Sequence, residues 1–209
     1  MRYLWIDEFL LNKRSVMKDL QPSWNWIRYQ IGGKMFAAIC LDSENNPYYI
    51  TLKVDPAESE FLRSQYTDII PGYYSDKRNW ISVNPDGCVP DALLKELLDK
   101  AYRLVLSGFS KKRQREILNI SCCGAECTSC ALYETACEGC NACQGKVFHM
   151  EAGKSCPIYV CAIIKHRYRS CGDCESFPCD LVYATRDPAL SDAEFAASVD
   201  ERVRRLREV

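Results

Sequence analysis

The feature that most constrains the fold of this chain is the distribution of its cysteines. Of the 14 cysteines, only Cys40 and Cys88 precede residue 122, and all the others lie between Cys122 and Cys179. A lone cysteine usually behaves as a small buried hydrophobic residue, and this is our prediction for Cys40 and Cys88. A dense cluster does not fit that role. The asymmetry therefore predicts two unlike domains, residues 1–118 and residues 119–209.

Short spacings dominate the cysteine-rich segment. Pairs of the form Cys-x2-Cys begin at Cys127, Cys137, Cys140 and Cys171. Such a pair lets two thiolates reach one ion across a tight turn, and four sulfurs complete the tetrahedral shell that zinc favours. In a reducing compartment, clustered cysteines are more often metal ligands or redox groups than disulfides. We therefore predict an irregular domain that is stabilised by two or three thiolate-bound zinc ions.

Iron-sulfur ligation is the alternative to zinc. The Cys-x3-Cys-x2-Cys motif that begins at Cys123 matches the cluster motif of radical S-adenosylmethionine enzymes, and the run from Cys137 begins like a ferredoxin motif. Too few residues follow the first motif for the partial barrel by which those enzymes resemble one another, and the second lacks its next cysteine at the expected spacing. Zinc is preferred, but an iron-sulfur cluster or a redox-active dithiol stays open.

No segment indicates secretion or a membrane partner. Asp7 and Glu8 interrupt the apolar N-terminal residues, and no uncharged apolar run approaches the roughly 18 residues that cross a bilayer. We therefore expect a cytoplasmic protein. The formal net charge is −1, which gives no strong basic excess of the kind typical of nucleic-acid-binding domains.

The first 118 residues have the patterns of an antiparallel sheet with helices. Polar and apolar residues alternate in two segments, 26–31 and 48–54, and a third segment, 34–41, is apolar on both faces; Gly32-Gly33 supplies the first turn. The predicted order is helix, three strands, helix, strand, helix, which is an α+β domain with helices on one face of the sheet. The remaining predicted elements are helices over 3–13, 56–65 and 93–106 and a strand over 79–84.

Five short motifs follow one another in this half of the chain. They are Ile31-Gly32-Gly33-Lys34, Lys53-Val54-Asp55-Pro56, Ile70-Pro71-Gly72-Tyr73, Lys77-Arg78-Asn79-Trp80 and Val89-Pro90-Asp91-Ala92. In this order they resemble the MmcQ/YjbR family, and the resemblance covers roughly residues 3–110. The resemblance implies a frataxin-like (CyaY-like) α+β fold and the DNA-binding role commonly assigned to that family.

Basic and aromatic residues of the predicted sheet are candidates for nucleic-acid contact. Such side chains bind phosphates and stack on bases. The alternative is an ordinary half-exposed sheet face and a solvated basic connector, with another protein as the partner. The candidates are Arg28, Tyr49, Lys53, Lys77, Arg78 and Trp80 on the sheet face opposite the helices, and Lys111, Lys112 and Arg113 in the connector.

The cysteine-rich segment also contains short motifs that are typical of one protein family, among them Cys137-Glu138-Gly139-Cys140 and the run from Cys171 to Cys179. Over residues 121–183 these resemble a small bacterial and archaeal cysteine-rich domain of unknown function that is commonly taken to bind metal. Cys122 and Cys143 lie outside the pattern and are the additional ligands that a third ion would need. The ligands implied by the resemblance are Cys123, Cys127, Cys130, Cys137, Cys140, Cys156, Cys161, Cys171, Cys174 and Cys179.

The last segment of the chain has the sequence pattern of a helix. Ser191 and Glu194 form a capping-box pattern before an apolar stripe, which predicts a C-terminal helix.

The sequence has no Gly-rich phosphate loop and no Ser/His/Asp or Cys/His pattern at a spacing that would support catalysis. It therefore favours a non-catalytic binding or regulatory protein over an enzyme, with DNA or a protein as partner and no small-molecule substrate indicated.

Overall fold

The computed structural model describes residues 1–208, which fall into two compact units divided after Phe109. The first unit is a sheet with helices. Its elements are α1 (Ile6–Leu11), β1 (Val16–Gln21), β2 (Trp26–Ile31), β3 (Lys34–Leu41), β4 (Pro47–Lys53), α2 (Pro56–Gln65), β5 (Ile69–Pro71), β6 (Trp80–Val83) and α3 (Asp91–Ser107).

The sheet has six strands in the order β1-β2-β3-β4-β6-β5, and every neighbouring pair is antiparallel. The predicted antiparallel sheet with helices is confirmed, but β1 and β5 were not predicted. Strand β1 lies at an edge and has no buried residue, so it lacks the alternation of apolar and polar residues that marks a half-buried strand. Strand β5 has only three residues, too few for a pattern.

The turn between β2 and β3 follows the prediction. Gly32 and Gly33 both have positive φ, at 56° and 79°. Two successive residues in the left-handed region match the twist of an antiparallel hairpin, and glycine enters that region without steric cost.

One face of the sheet forms the core of the first unit. The strand register places Tyr29, Ala37, Leu52 and Ile81 in one row across four strands, and all four are buried. The Tyr29 hydroxyl donates a hydrogen bond to Asp7 of α1 at 2.8 Å, so this face is turned towards the helices. Burying such a row of apolar side chains is the main source of the stability of the unit.

Helix α3 covers this core, as its sequence predicts. Residues at spacings of three and four are buried, among them Leu94, Leu98, Ala101 and Val105. Gly108 caps the C-terminal end, where its backbone N–H donates to the carbonyl of Val105 at 3.2 Å. An amphipathic helix is stabilised chiefly by this kind of tertiary burial.

The two cysteines of the first unit behave differently from each other. Cys40 is buried, and burial raises the pKa of its thiol to about 12, so the prediction of a buried hydrophobic residue is confirmed for it. For Cys88 that prediction is wrong, because the side chain is exposed. Its backbone N–H donates to Asp68 Oδ2 at 2.7 Å, and this contact holds the loop before α3 at the surface.

The second unit is mostly irregular and starts earlier than the predicted boundary at residue 119. Its first helix begins after Ser110, whose side chain accepts a hydrogen bond from the Arg113 N–H. No described helix is both long and apolar enough to cross a membrane. The helices are α4 (Lys111–Ile117), α5 (Pro157–Tyr159) with a following π-helical turn (Val160–Lys165), α6 (Asp180–Ala184) and α7 (Asp192–Glu208), with 3-10 turns at Cys127–Ser129 and Cys171–Asp173.

The C-terminal helix is confirmed in its position and in its cap. The Ser191 N–H donates to Glu194 Oε2 at 2.9 Å, and the Glu194 N–H donates back to Ser191 Oγ at 3.3 Å. These reciprocal bonds satisfy two backbone donors at the start of α7. Phe195, Val199 and Leu206 of the predicted apolar stripe are buried. The frataxin-like topology and the stabilisation by metal stay predictions.

Candidate metal centre

Six cysteines line the larger of two cysteine-lined cavities in the second unit, which has a volume of about 180 Å³. Tyr133, Phe148 and Ile158 supply apolar wall, and His149 also lines the cavity. The Cys127–Ser129 turn closes with a hydrogen bond from the Cys130 N–H to the Cys127 carbonyl at 3.0 Å. The six cysteines are Cys123, Cys127, Cys130, Cys137, Cys140 and Cys156.

The other four cysteines of the predicted pattern line a separate cavity of about 30 Å³. Cys171 and Cys174 lie at the two ends of a 3-10 turn, in which the Cys174 N–H donates to the Cys171 carbonyl at 3.1 Å. The apolar residues Ile158, Ala162, Phe177 and Leu181 form much of the wall. The four cysteines are Cys161, Cys171, Cys174 and Cys179.

Cys122 and Cys143 each contact a cysteine of this pattern. The Cys122 thiol lies close to Cys140 and Cys171, one cysteine from each cavity wall. Interactions with these two thiols, together with burial, raise the pKa of Cys122, while Cys122 lowers the pKa values of Cys140 and Cys171. Burial, with neighbouring Cys137 and Cys140, raises the pKa of Cys143. Both residues outside the pattern therefore belong to the same thiol-rich region.

A backbone N–H and a serine hydroxyl contact sulfurs at the wall of the larger cavity. The Cys140 N–H points at Cys127 Sγ at 3.5 Å, and the Ser121 hydroxyl lies 3.2 Å from Cys123 Sγ. Gly139 has φ of +90°, and a Cβ at this position would lie 3.0 Å from the Tyr133 ring and 3.6 Å from Cys127 Sγ. The positive φ and the close contact with Tyr133 therefore favour glycine at this position. Hydrogen bonds of this kind orient thiolate ligands in metal sites.

The donor set fits a thiophilic metal, although no site is assembled. Within residues 1–208, no three Cys, His, Asp or Glu side chains are arranged so that they could hold one ion. All the cysteines are free. Burial raises the pKa of Cys127 to about 11, so a cation is what would favour its thiolate form. Sulfur donors in apolar surroundings are the chemistry that zinc and iron-sulfur clusters use.

The first unit contains the other predicted site, and the strand register brings four of its residues to one face. Lys53 is paired with Trp80, while Arg28 and Tyr49 pair with residues of β3 on the same side of the sheet. This face is opposite to the one that Tyr29 and Leu52 turn towards the helices. Lys77 and Arg78 lie in the exposed loop that leads into Trp80.

Some of the predicted basic residues are paired with a carboxylate, and others are not. Arg28 binds the carboxylate of Asp19 on β1 through Nε at 2.9 Å and Nη2 at 2.5 Å. Among residues 1–208, no carboxylate lies within ion-pair distance of Lys53 or Lys77. In the second unit, Arg113 is paired with Glu116 at 3.1 Å. The predicted basic residues therefore divide into paired and unpaired ones.

Comparison with known sequences shows the family of this chain. The sequence profile of YjbR matches residues 13–104. "Uncharacterized protein YbdF" of Escherichia coli O157:H7 is 38% identical over 90 residues, which cover 43% of this chain and 71% of that protein. The chain belongs to the YjbR family. The family resemblance found in the sequence motifs is confirmed over this region.

Other relatives match the same half of the chain. "Uncharacterized protein YjbR" of Escherichia coli K12 is 23% identical over 113 residues, covering 54% of this chain and 94% of the relative. The crystal structure of Deinococcus radiodurans protein DR2400, of domain DUF419, has 31% identity and a TM-score of 0.48, and the match covers 54% of this chain and 84% of that one. DNA binding and the metal-binding assignment of the cysteine-rich half stay predictions.

Two features were not identified from the sequence. In the YjbR domain, Trp24, Trp26, Met35, Tyr48 and Tyr74 line a groove of about 500 Å³. The alternation around Trp26 placed that residue on a strand, but Tyr74 comes from a loop whose position no local pattern predicts. In the second unit, Arg115 belongs to the same basic run as Lys111, yet its side chain is buried.

Proposed function

We propose that this YjbR-family protein is a non-catalytic binding or regulatory protein whose second unit is held together by cysteine-bound zinc. The observation that supports this proposal is the division of ten cysteines between two cavities, six around one and four around the other. Each group contains at least the four thiolates that one tetrahedral zinc ion needs.

The smaller cavity supports a structural role. Its four cysteines match the four ligands of a closed zinc site, in which no coordination position is left for a substrate. The wall is apolar, so the ion would replace a hydrophobic core that this irregular unit does not build from long helices or strands. Structural zinc of this type contributes directly to the free energy of folding.

The larger cavity supports a second ion and gives a reason for a third. Six cysteines exceed the need of one tetrahedral ion by two. Cys122 contacts Cys140, and Cys143 contacts Cys137, so these two thiols would supply a further pair beside the same cavity. The proposed stoichiometry is two ions if Cys122 and Cys143 stay free and three if they are ligands.

Elemental analysis of the full-length protein, purified without oxygen, tests this proposal. We expect a colourless protein with two or three zinc ions per chain. Cys174→Ser in the smaller site and Cys130→Ser in the larger one should each lower the zinc content by about one ion, because a tetrahedral site tolerates loss of a thiolate poorly. Cys88→Ser, at an exposed cysteine of the YjbR domain, is the matched control and should leave the metal content unchanged.

The same measurement separates zinc from its alternative. The larger cavity contains the motif that begins at Cys123 and resembles a cluster-binding motif. A brown protein with iron and acid-labile sulfide would replace the zinc proposal by an iron-sulfur redox protein. A protein free of metal, with normal folding, would reject both proposals and leave the dithiol chemistry of the clustered cysteines.

For the YjbR domain, we propose DNA as a partner of the sheet face that contains Lys53 and Trp80. The support is the shared face of Arg28, Tyr49, Lys53 and Trp80, together with the lack of a carboxylate partner for Lys53 within residues 1–208. Unpaired cations contact phosphates, and an adjacent indole ring can stack on a base. The affinity should fall steeply with salt because counterions are released.

Fluorescence anisotropy with a labelled single- or double-stranded oligonucleotide tests the DNA proposal. The double variant Lys53→Gln/Lys77→Gln should weaken binding at low salt and reduce its salt dependence. Lys95→Gln is the control, because Lys95 lies over the Trp5 ring on the helical side of the same domain. If the wild-type protein binds no DNA at low salt, the partner is another protein and the DNA proposal fails.

A further inference from the structure

We propose that the second unit contains an anion-binding site that takes a phosphate monoester, at a cavity distinct from the two that the ten predicted metal ligands line. This cavity has a volume of about 420 Å³ and is lined by α4, the turn at 141–144 and the segment 159–169. Among the described residues, its wall includes Cys122 but none of the ten cysteines assigned to metal. The residues proposed to bind the anion are therefore separate from those ten cysteines.

The central residue of this site is Arg115. Its side chain lines the cavity and yet is only 5% exposed. Within residues 1–208, no carboxylate lies at ion-pair distance from it; Nη2 donates instead to the carbonyl of Arg169 at 2.7 Å. A buried guanidinium has several N–H donors and a charge that is costly to leave without a counterion. The fold therefore maintains a positive charge that an anion in the cavity would balance.

A neighbouring carboxylate already has another partner. Asp173 is close enough to influence Arg115, but its two oxygens accept hydrogen bonds from Arg169, through Nη2 at 2.6 Å and Nε at 3.0 Å. Burial lowers the pKa of Arg115, which is the expected sign for a cation whose charge is not fully compensated. Even so, arginine stays protonated at neutral pH, so the site keeps its charge.

Further cations surround the opening of the cavity. Lys112, Arg167 and Arg169 are exposed residues of the wall, and Glu116 is its carboxylate. Glu116 is bound by Arg113, and Arg169 by Asp173, so these charges are largely cancelled. Lys112 and Arg167 remain to act with Arg115. Three cations around one polar cavity form an electrostatic arrangement suited to a dianion such as a phosphate monoester.

The rest of the wall indicates what accompanies the phosphate. Tyr159 and Tyr168 are half-buried rings in the wall, and Asn141 and Gln144 add amide groups. Asn141 Nδ2 donates to the Ile120 carbonyl at 2.9 Å, which orients the amide. A volume of about 420 Å³ exceeds the needs of inorganic phosphate and falls within the range of small-molecule sites. We therefore assign the site to a phosphate monoester with a planar organic group, and use adenosine monophosphate as the probe.

Isothermal titration calorimetry on the full chain, with its metal content as purified, tests this site. We expect one site for inorganic phosphate and tighter binding of adenosine monophosphate at the same site, with the two in competition. Arg167→Gln and Lys112→Gln should each weaken binding about tenfold, because each removes a charge-assisted contact with the anion. Lys165→Gln should bind normally, since Lys165 is an exposed cation of the same segment that does not line the cavity.

Arg115 is tested by a substitution that keeps its charge. Arg115→Lys loses the planar fork of donors and should weaken phosphate binding at least tenfold. A thermal melt shows whether this variant folds, and the two surface variants carry the test if it does not. Two results would overturn the proposal: no heat of binding with either probe, or equal weakening of phosphate binding by Lys165→Gln.

Discussion

Arg28 and Asp19 face each other across the first two strands of the sheet, and Arg28 binds both carboxylate oxygens of Asp19. The distances are 2.9 Å from Nε to Oδ1 and 2.5 Å from Nη2 to Oδ2. Hydrogen bonds from Arg28 lower the pKa of Asp19 despite partial desolvation, so the carboxylate stays ionised at neutral pH. One of the cations expected to contact DNA is therefore neutralised by its neighbour in the free protein.

Replacing Asp19 by asparagine should release this cation. In the proposed DNA interface, Asp19→Asn should raise the affinity for DNA at low salt, and the slope of log affinity against log salt should steepen by about one for duplex DNA. The melting temperature should change little, because the pair is exposed. Arg28→Gln gives the opposite control. An unchanged salt slope in Asp19→Asn would exclude Arg28 from the interface.

Tyr29 provides a test of the junction between sheet and first helix. Its hydroxyl donates to Asp7 Oδ1 at 2.8 Å, and its side chain is 1% exposed. Burial, and then the bond to Asp7, raise the pKa of Tyr29, so it donates at all ordinary pH values. Tyr29→Phe should lower the free energy of unfolding by about 1.5 kcal/mol in urea titrations at pH 7, because a bond to a charged acceptor is lost.

The effect of Tyr29→Phe should depend on pH. Burial opposes ionisation of Asp7, but hydrogen bonds from Lys18 and Tyr29 outweigh it and lower the pKa of Asp7. A carboxyl whose folded-state pKa is depressed stabilises the fold above its unfolded pKa, and this contribution is lost as the pH falls through the folded value. The difference between wild type and Tyr29→Phe should therefore shrink below about pH 4. A difference that stays constant in acid would contradict this linkage.

Alanine substitutions at Gly124 and Gly153 distinguish the cost of backbone strain from the cost of a steric clash in the second unit. Both have positive φ, at 81° and 83°. A Cβ on Gly124 would lie 2.5 Å from the carbonyl oxygen of Arg202, whereas a Cβ on Gly153 would meet nothing within 4 Å. Gly153→Ala should cost about 1 kcal/mol from strain alone, and Gly124→Ala should cost clearly more. Thermal melts measure both, and equal losses would show that the contact with Arg202 relaxes without cost.

Removal of metal tests the domain organisation of the chain. This prediction rests on the proposed zinc sites. A chelator applied under reducing conditions should unfold the second unit, because its irregular turns depend on the ions. The YjbR domain has its own buried core and should stay folded. Limited proteolysis should then leave a resistant fragment of about residues 1–109. Resistance of the entire chain after complete removal of metal would refute the structural role of zinc.

The YjbR domain shows which elements a sequence can predict. Strands β2 and β3 and helix α3 have strong periodicity because each buries one face or both, and their predicted positions agree with the structure. Strand β1 is held by pairing with β2, a contact that depends on backbone hydrogen bonds and leaves its side chains exposed. Pairing through backbone hydrogen bonds does not restrict which residue types a strand contains, so the sequence pattern did not predict β1. Asp19, which neutralises Arg28, was missed for the same reason.

In the second unit, the sequence by itself determined the donor chemistry: the number of thiols, their short spacings and the glycines between them. Only the tertiary structure decided how the ten cysteines divide between two cavities, and that Arg115 lies buried beside a third. The physical reason is that spacing constrains only sulfurs a few residues apart. The grouping of Cys161 with Cys179, or of Cys123 with Cys156, is fixed by how distant loops fold together.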